Sequence, residues 1–444
     1  LSYANGIRHP ESFYKNNECM NGSCSLFRHC VVVIAVFVTG AASAVAQDTI
    51  RINLQQAEQQ FLQNNLSLLA ARYNIDVAQA QIIQARLYNN PTLSVSGNIY
   101  NPDQKKVFDI SNKTGQYVIG IQQLIILAGK RNKQVSLAQT NAKMTEYNFY
   151  DLLRTLRFSL RSNYYSILHL HQSYNAYQLQ ISSLEKLNSA YTDLQAKGVV
   201  TLKDAVRIKS LLYTLQGEQT SLQNQLNDLQ AEFQLLMRDN QHYYLPADTS
   251  GIIAAANQFP LQALVDSAYS NRYDLKIADA NKLYNEQNYR LQKALRTPDL
   301  TLGAEFDKRG SFVTNATALN AAIDLPFFNR NQGNIQAAKI GIEQSKVQFQ
   351  QQQQTIENEV QKAYIKALNT ERILQSFDPG FKGQFEQLLK GITENFQKKN
   401  ISLLEFTDFY ESYKDNILRI NQLQNEKDQA KEALNFAVGK TLFN

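Results

Sequence analysis

The sequence of 444 residues predicts a mainly α-helical protein that also carries a membrane β-barrel. Three observations carry that expectation: an internal repeat, helical stretches far longer than those of globular domains, and four short segments that alternate apolar and polar residues. In the repeat, LQQAEQQFLQNNLSLLAARYN (Leu54 to Asn74) aligns without a gap on LQALVDSAYSNRYDLKIADAN (Leu261 to Asn281), a spacing of about 200 residues. The register continues so that Pro91 falls on Pro298 and Leu93 on Leu300. After a small indel, VSLAQ at Val135 meets IQAAK at Ile335, and QAKGVV at Gln195 meets QKKNIS at Gln397. Each half, 47–245 and 246–444, therefore runs helix, strand pair, very long helix, turn, long helix. Such a duplicated unit reads as half of a symmetric assembly rather than an enzyme core with one cleft.

Residues 1–46 read as leader and signal peptide. Val31 to Ala42 (VVVIAVFVTGAA) is an apolar run behind Arg28 and His29, too short to span a bilayer. Ala44-Val45-Ala46 follows as a small-x-small cleavage signal, which makes Gln47 the first mature residue. Met20 would start a signal peptide of ordinary length and leave residues 1–19 as an upstream extension. All three cysteines, Cys19, Cys24 and Cys30, fall in this leader. A mature chain without thiols suits an oxidising periplasm and leaves no cysteine for a lipid anchor. The leader holds Arg8, Lys15 and Arg28 against Glu11 and Glu18, so the mature chain carries one unit less than the full chain's +6. That mild, dispersed excess fits solvated helix faces and argues against nucleic acid as a partner.

The strands are expected at about 92–100 and 115–124, then at about 299–307 and 316–326. Leu93, Val95 and Ile99 alternate with Ser94, Ser96 and Asn98; Tyr117, Ile119 and Ile121 alternate with Val118, Gly120 and Gln122. In the second half Leu300, Leu302, Ala304 and Phe306 alternate with Thr301, Gly303, Glu305 and Asp307. Leu319, Ala321, Ile323 and Leu325 alternate there with Ala318, Asn320, Ala322 and Asp324. Segments of about 8–10 residues cross a bilayer when tilted, and one apolar and one polar side suits a barrel with a wet lumen. A half-buried soluble sheet has the same alternation. Four strands, however, cannot close a barrel, since the smallest bacterial ones have about eight, and open edges are not tolerated in lipid. Three copies would supply an even twelve.

The helices are expected at about 130–197 and 203–240, and at about 333–399 and 403–439. Lys130 to Lys197 contains neither Gly nor Pro and would reach roughly 100 Å. Ile167, Leu170, Tyr174, Tyr177, Ile181, Leu184 and Tyr191 form a heptad stripe on it. Leu212, Leu215, Leu222, Leu226, Leu229, Phe233 and Leu236 form the next, and Phe406, Phe409, Tyr413, Ile417 and Ile420 the last. GVVTLKD and KNISLLE are too short for anything but tight turns, so the helices on either side must pack antiparallel. Pro379 and Gly380 should kink the third long helix. The remaining faces are rich in Gln and Asn, as at Gln350 to Gln354, and read as a polar wall with one face on water.

With these features in place, the mature chain resembles the TolC family of outer-membrane efflux factors over essentially its whole length. DLPFFNRNQGNIQAA (Asp324 to Ala338) and LIILAGKRNKQV (Leu124 to Val135) are similar to the strand-to-helix junctions of the CzcC-like branch, which serves heavy-metal efflux. The resemblance implies a homotrimer, with four strands per protomer in a twelve-stranded barrel within outer-membrane lipid and a helical tunnel crossing the periplasm. It also implies a periplasmic adaptor (a membrane fusion protein) at the helical tips, and behind it an inner-membrane pump of the resistance-nodulation-division (RND) class. The chain itself would be a passive exit duct in the outer membrane of a Gram-negative bacterium, without a cofactor.

Within that frame, GVVTLKDAV (Gly198 to Val206) and NISLLEFTD (Asn400 to Asp408) match the family's tips. Asp204, Glu405 and Asp408 fall where family members place acids near the narrow end of the tunnel. Three copies would form carboxylate rings that favour cations and gate the constriction. Their other reading is as helix caps or solvated charges beside a turn. Gly198, Val199, Leu202, Ile401, Leu403 and Leu404 are candidates for adaptor docking, because apolar side chains at an exposed turn otherwise lack a partner. Alternatively they close the end of the helix pair. Glu305, Asp307 and Asp324 are expected to face the lumen. Ile401 and Phe396 stand where some family members carry the basic residue and tyrosine that latch a closed tip.

No metal site is expected on the chain. The mature sequence offers His169, His171 and His242 with Met144 and Met237, and His169 and His171 point to different helix faces. No nucleophile–base set, phosphate loop, dinucleotide fingerprint or HExxH occurs, and an enzyme is not expected. Two other functions fit the pattern: a duct for drugs or secreted polypeptides, and a secreted structural coiled coil without a barrel.

Overall fold

The computed structural model describes residues 48–247, 255–309, 313–378 and 380–443. The chain divides after Asp48, and the helices and the four-stranded sheet belong to the unit from Thr49 onward. The leader with its cysteines, and Pro379, lie outside the described residues.

In chain order the elements are β1 (Asp48–Ile52), α1 (Leu54–Asn64), α2 (Leu66–Arg86), β2 (Thr92–Gly97), β3 (Tyr100–Asn101), β4 (Lys106–Val107), β5 (Tyr117–Ile125), α3 (Lys130–Ala196) and α4 (Leu202–Met237). Then come β6 (His242–Pro246), a short 3-10 turn, α5 (Leu261–Asn271), α6 (Tyr273–Leu295), β7 (Leu300–Arg309), β8 (Thr314–Ile323), α7 (Gln332–Gln375), α8 (Phe381–Gln397) and α9 (Leu403–Val438). α3 runs for 67 residues, and α4 and α9 for 36 each. Among the described residues no helix is long and apolar enough to cross a membrane.

The duplication is visible at atomic detail. The first helix of each half breaks at the same place, since Asn65 and Arg272 both adopt an extended backbone between two helices. Each break residue is buried and reaches a carbonyl at the end of its half's last helix. Asn65 Nδ2 donates to Leu236 O at 3.0 Å, and Arg272 Nη1 donates to Ala437 O at 3.1 Å. Both long third elements start behind a left-handed cap, Gly129 (φ 64°) and Asn331 (φ 58°).

Three apolar clusters hold the helices. Phe61, Leu68, Leu160, Tyr164, Phe233 and Met237 anchor the first half where α1 and α2 meet α3 and α4. Leu264, Ala268, Leu275, Ile356, Leu434 and Val438 anchor the second at the corresponding place. The third joins the far ends of both long helix pairs. Between the first two, Arg161 Nε meets Glu432 at 2.7 Å and Arg161 Nη1 meets Glu58 at 3.0 Å, all largely buried. Burial of a charge is tolerable only when it is paired in this way.

The remaining long element departs from expectation. In place of one kinked helix there are two, α7 ending at Gln375 and α8 starting at Phe381. Asp378 precedes a proline, whose ring disfavours helix at the preceding residue and supplies no N–H. Asp378 Oδ1 accepts from Gly380 N at 2.8 Å and restarts the chain. The first strand also ends earlier than expected, at Gly97, and Ile99 leads into the two-residue strands β3 and β4. Asp324 falls one residue beyond β8.

Candidate functional site

Two regions carry the geometry of function: the sheet, and the pair of turns at the opposite ends of the long helices. The sheet is antiparallel in the order β2-β5-β7-β8, with β2 and β8 as open edges. Its register stacks the alternating residues into continuous rows. Leu93 faces Ile121, which faces Ala304, which faces Leu319; the next row holds Val95, Ile119, Phe306 and Thr317. Among the described residues nothing covers this face, for Leu93 is 69% exposed, Ile121 53% and Leu319 89%. An apolar sheet face in water would be a severe aggregation hazard, whereas in lipid it is the stable surface. Gln123 is polar in an apolar row, and its amide is satisfied by donating to Asn89 O at 2.8 Å and Leu124 O at 3.0 Å. Glu305 pairs with Gly120 and Ala318, and Asp307 with Val118 and Ala316, on the opposite face. Asp324 is exposed in the connection that follows β8 and is not part of the sheet.

Where the sheet meets the helices, Lys130 Nζ pairs with Asp299 at 2.7 Å, and the same carboxylate accepts from Leu127 N at 2.8 Å. This contact ties the start of α3 to the strand pair of the other half.

The two turns are copies of one another. In the first, Gly198 is left-handed (φ 70°), and Val199 N donates to Leu194 O at 2.9 Å. In the second, Lys399 is left-handed (φ 61°), and Asn400 N donates to Asn395 O at 2.9 Å. Both are helix C-caps of the Schellman kind, and only the first uses the residue that adopts this conformation without strain. Each turn then starts the return helix with a hydroxyl cap. Thr201 accepts from Asp204 N at 3.2 Å, and its hydroxyl donates to Asp204 Oδ2 at 2.7 Å. Ser402 and Glu405 form a complete capping box, with Ser402 N and Oγ both donating to Glu405 Oε2 at 2.8 Å. The backbone N–H and hydroxyl of Ser402 hold the Glu405 carboxyl below the usual carboxylate range.

Asp204 and Glu405 are therefore engaged as caps. Asp408 is exposed one turn into α9, with no ion pair or hydrogen bond among the described residues. The S/T-x-x-D/E spacing at Thr201–Asp204 and Ser402–Glu405 is the local signal that identifies these acids as caps.

The apolar turn residues divide in two. Val199, Leu202 and Leu404 are 52, 65 and 60% exposed, and around Gly198 there is open space. Ile401 and Leu403 instead pack on the cluster beneath the turns, with Ile181, Leu184, Ile208, Leu215, Phe406 and Tyr410. Phe396 is buried there, stacked on Phe406 at 4.4 Å and on Tyr191 at 5.6 Å between centroids. Phe396 is thus a core position beneath the turns. Tyr410 donates its hydroxyl to Gln180 O at 2.7 Å, joining α9 to α3.

The three histidines among the described residues have structural partners. His169 is buried with Nε2 at 2.8 Å from Asp428, His242 Nδ1 lies 2.8 Å from Asp239, and His171 stacks beside Tyr174. Among the described residues no three His, Cys, Asp or Glu side chains gather as a metal site.

Long duplicated helix pairs joined to a sheet with an uncovered apolar face define the TolC-like outer-membrane channel fold. The chain belongs to the outer membrane efflux protein family, whose model matches residues 57–237 and 264–440, one segment in each half. It is 23% identical over 286 residues to the cobalt-zinc-cadmium resistance protein CzcC of Cupriavidus metallidurans, covering 62% of this chain and 63% of that relative's length. Among solved structures, a membrane protein from Pseudomonas aeruginosa superposes with a TM-score of 0.72 at 16% identity, covering 89% of this chain and 92% of the other. The CmeC outer membrane channel of Campylobacter jejuni gives 0.70 at 14% identity, covering 88% and 86%. The chain thus has the fold and the family of outer membrane efflux channels, which sit in the Gram-negative outer membrane and extend into the periplasm.

Proposed function

We propose that three copies of this chain assemble into one passive duct, each contributing its four strands to a twelve-stranded barrel and its helices to a periplasmic tunnel. The observation that carries this reading is the open sheet, whose two unpaired edges and bare apolar face are incompatible with a lone chain in lipid. The helices support it too. α6 is packed between α7 and α3, whereas its counterpart α2 packs chiefly on α3. Leu69, Tyr73, Val77 and Ile83 are left exposed on α2. The missing neighbour is α7 of the next protomer, where Ile340 and Val347 are 59 and 63% exposed.

The duct serves a tripartite system, taking cargo from a periplasmic adaptor and an inner-membrane pump of the RND class. Val199, Leu202 and Leu404 are the adaptor contacts, with Gly198 giving the backbone close access. Asp408 is the acid free to form a ring at the constriction, and Asp204 and Glu405 add charge while serving as caps. Glu305 and Asp307 face the lumen. The cargo is heavy-metal cations, supported by the CzcC relative and by the junction sequences Leu124–Val135 and Asp324–Ala338.

Growth of a deletion strain across zinc, cobalt, cadmium, copper and silver, against drugs and detergents, tests the cargo. Sensitivity to metals alone, restored by the gene, is expected. Sensitivity only to drugs and detergents would transfer the duct to organic cargo and remove the metal assignment.

A further inference from the structure

The end of the sheet remote from the helices is unlike a plain barrel rim. Following the apolar face of β7 outward, Leu300, Leu302, Ala304 and Phe306 are succeeded on the same face by Lys308. Phe306 lies beside Tyr117 of β5, with ring centroids 6.4 Å apart. An aromatic pair followed by a cation is the order expected where hydrocarbon gives way to headgroups.

The loop joining β2 to β5, residues 98–116, rises from the same end. Ile99 continues the apolar side of β2, and Val107, Phe108 and Ile110 are 64, 69 and 77% exposed. Lys105, Lys106 and Lys113 stand exposed among them. None of these three lysines, nor Lys308, has an ion-pair partner among the described residues. The loop is held in shape from within. Asp109 is buried and accepts from Ser111 Oγ at 2.6 Å, Ser111 N at 3.1 Å and Asn101 Nδ2 at 3.3 Å. Asn101 also donates to Thr114 O at 3.2 Å. Of the loop's two acids, Asp109 is thus committed to the loop's own backbone, hydroxyl and amide groups, and Asp103 is exposed beside the lysines, which leaves the loop a net cation.

A cationic rim with interleaved exposed apolar side chains, continuous with the lipid-facing band, has the chemistry of an anionic lipid surface. We infer that this rim docks the phosphates of phosphorylated glycolipids in the outer leaflet. Lys308 sits at headgroup depth on the barrel wall, and Lys105, Lys106 and Lys113 sit above it in the loop. The apolar residues of the loop rest on the same lipids. The inference relies on the barrel reading of the sheet.

Native mass spectrometry of the channel assembled in detergent tests it. The probes are bisphosphorylated lipid A, the same lipid stripped of phosphate, and inorganic phosphate as competitor. The phosphorylated lipid should bind about tenfold or more tightly than the stripped one. The fourfold variant with Lys105, Lys106, Lys113 and Lys308 each changed to Gln should lose that preference, and the fourfold Lys→Arg variant should keep it. Equal binding of the two lipids, an unaffected Gln variant, or displacement of the lipid by inorganic phosphate would overturn the inference. Absence of any detergent-resistant oligomer would remove the barrel itself and this inference with it. An intact oligomer indifferent to phosphate would remove only the inference.

Discussion

A charge placed on one face of β5 should abolish assembly, and the same charge one residue further along should not. Ile121 is the middle residue of the nine in β5, and its row runs through Leu93, Ala304 and Leu319. Eight steps of about 3.3 Å give roughly 27 Å along the strand, or about 20 Å across the membrane at a tilt of about 40°. Position 121 therefore falls near the bilayer midplane, where a lysine on the lipid face costs about 2–4 kcal/mol. That is about 30-fold to several hundred-fold per protomer, and the penalty is taken three times in a trimer, about 6–12 kcal/mol in all. Gln122 points to the other face, opposite Thr92 and Gly303. Ile121→Lys should therefore vanish from the outer-membrane fraction as a heat-sensitive, detergent-resistant oligomer, while Gln122→Lys retains it near the unmodified level. Equal behaviour of the two variants, whether both assemble or both fail, would refute the assignment of faces. Val95→Asp and Leu302→Asp extend the test to neighbouring strands; normal assembly of both would leave a helical protein without a barrel.

Four further outcomes are expected. Arg161→Met strands buried Glu432, leaves half-buried Glu58 only Arg157 at 3.8 Å, and should cost about 3–5 kcal/mol by denaturant unfolding, with most of the loss recovered in Arg161→Met/Glu432→Met. The turns should respond oppositely to exchange: Gly198→Lys should lower stability by about 1 kcal/mol, and Lys399→Gly should raise it by up to about 1 kcal/mol, read as shifts in melting temperature. The hydroxyl of Ser111 and its neighbours hold Asp109 well down, to about 2, so the carboxylate stabilises the loop above the unfolded value near 4 and releases it as pH falls toward 2. Pepsin should accordingly begin to cut within residues 98–116 between about pH 4 and pH 2, and Asp109→Asn should be cut already at about pH 4. Val199→Asp, Leu202→Asp and Leu404→Asp should leave the oligomer intact yet abolish cargo resistance and crosslinking to the adaptor; full resistance in all three would move the docking surface elsewhere.

The architecture was legible in the sequence wherever it depends on local periodicity. Heptad spacing marks Ile167, Ile181 and Leu184 as core, and all three are buried, as are Leu215, Leu226 and Phe233 on the partner helix. A period of two likewise gives the faces of β2, β5, β7 and β8, because side chains alternate across a strand whatever it pairs with. The cap pairs at Thr201–Asp204 and Ser402–Glu405 were also written locally, in a three-residue spacing. What only the tertiary structure decided are contacts between residues far apart along the chain. In the sequence Ile401 and Leu403 read equally as docking residues or as the closure of the helix pair, and Phe396 has no assigned neighbour. Phe396 becomes core, and Ile401 and Leu403 pack half-buried against it, because two turns, roughly 200 residues apart, share one apolar cluster. The breaks at Asn65 and Arg272 are not signalled by Gly or Pro; they persist because each side chain finds a helix-end carbonyl on the last helix of its half. The repeat itself fixes both halves to one plan. Long-range packing then determines which copy of each residue is buried, since burial is a property of neighbours and not of the residue alone.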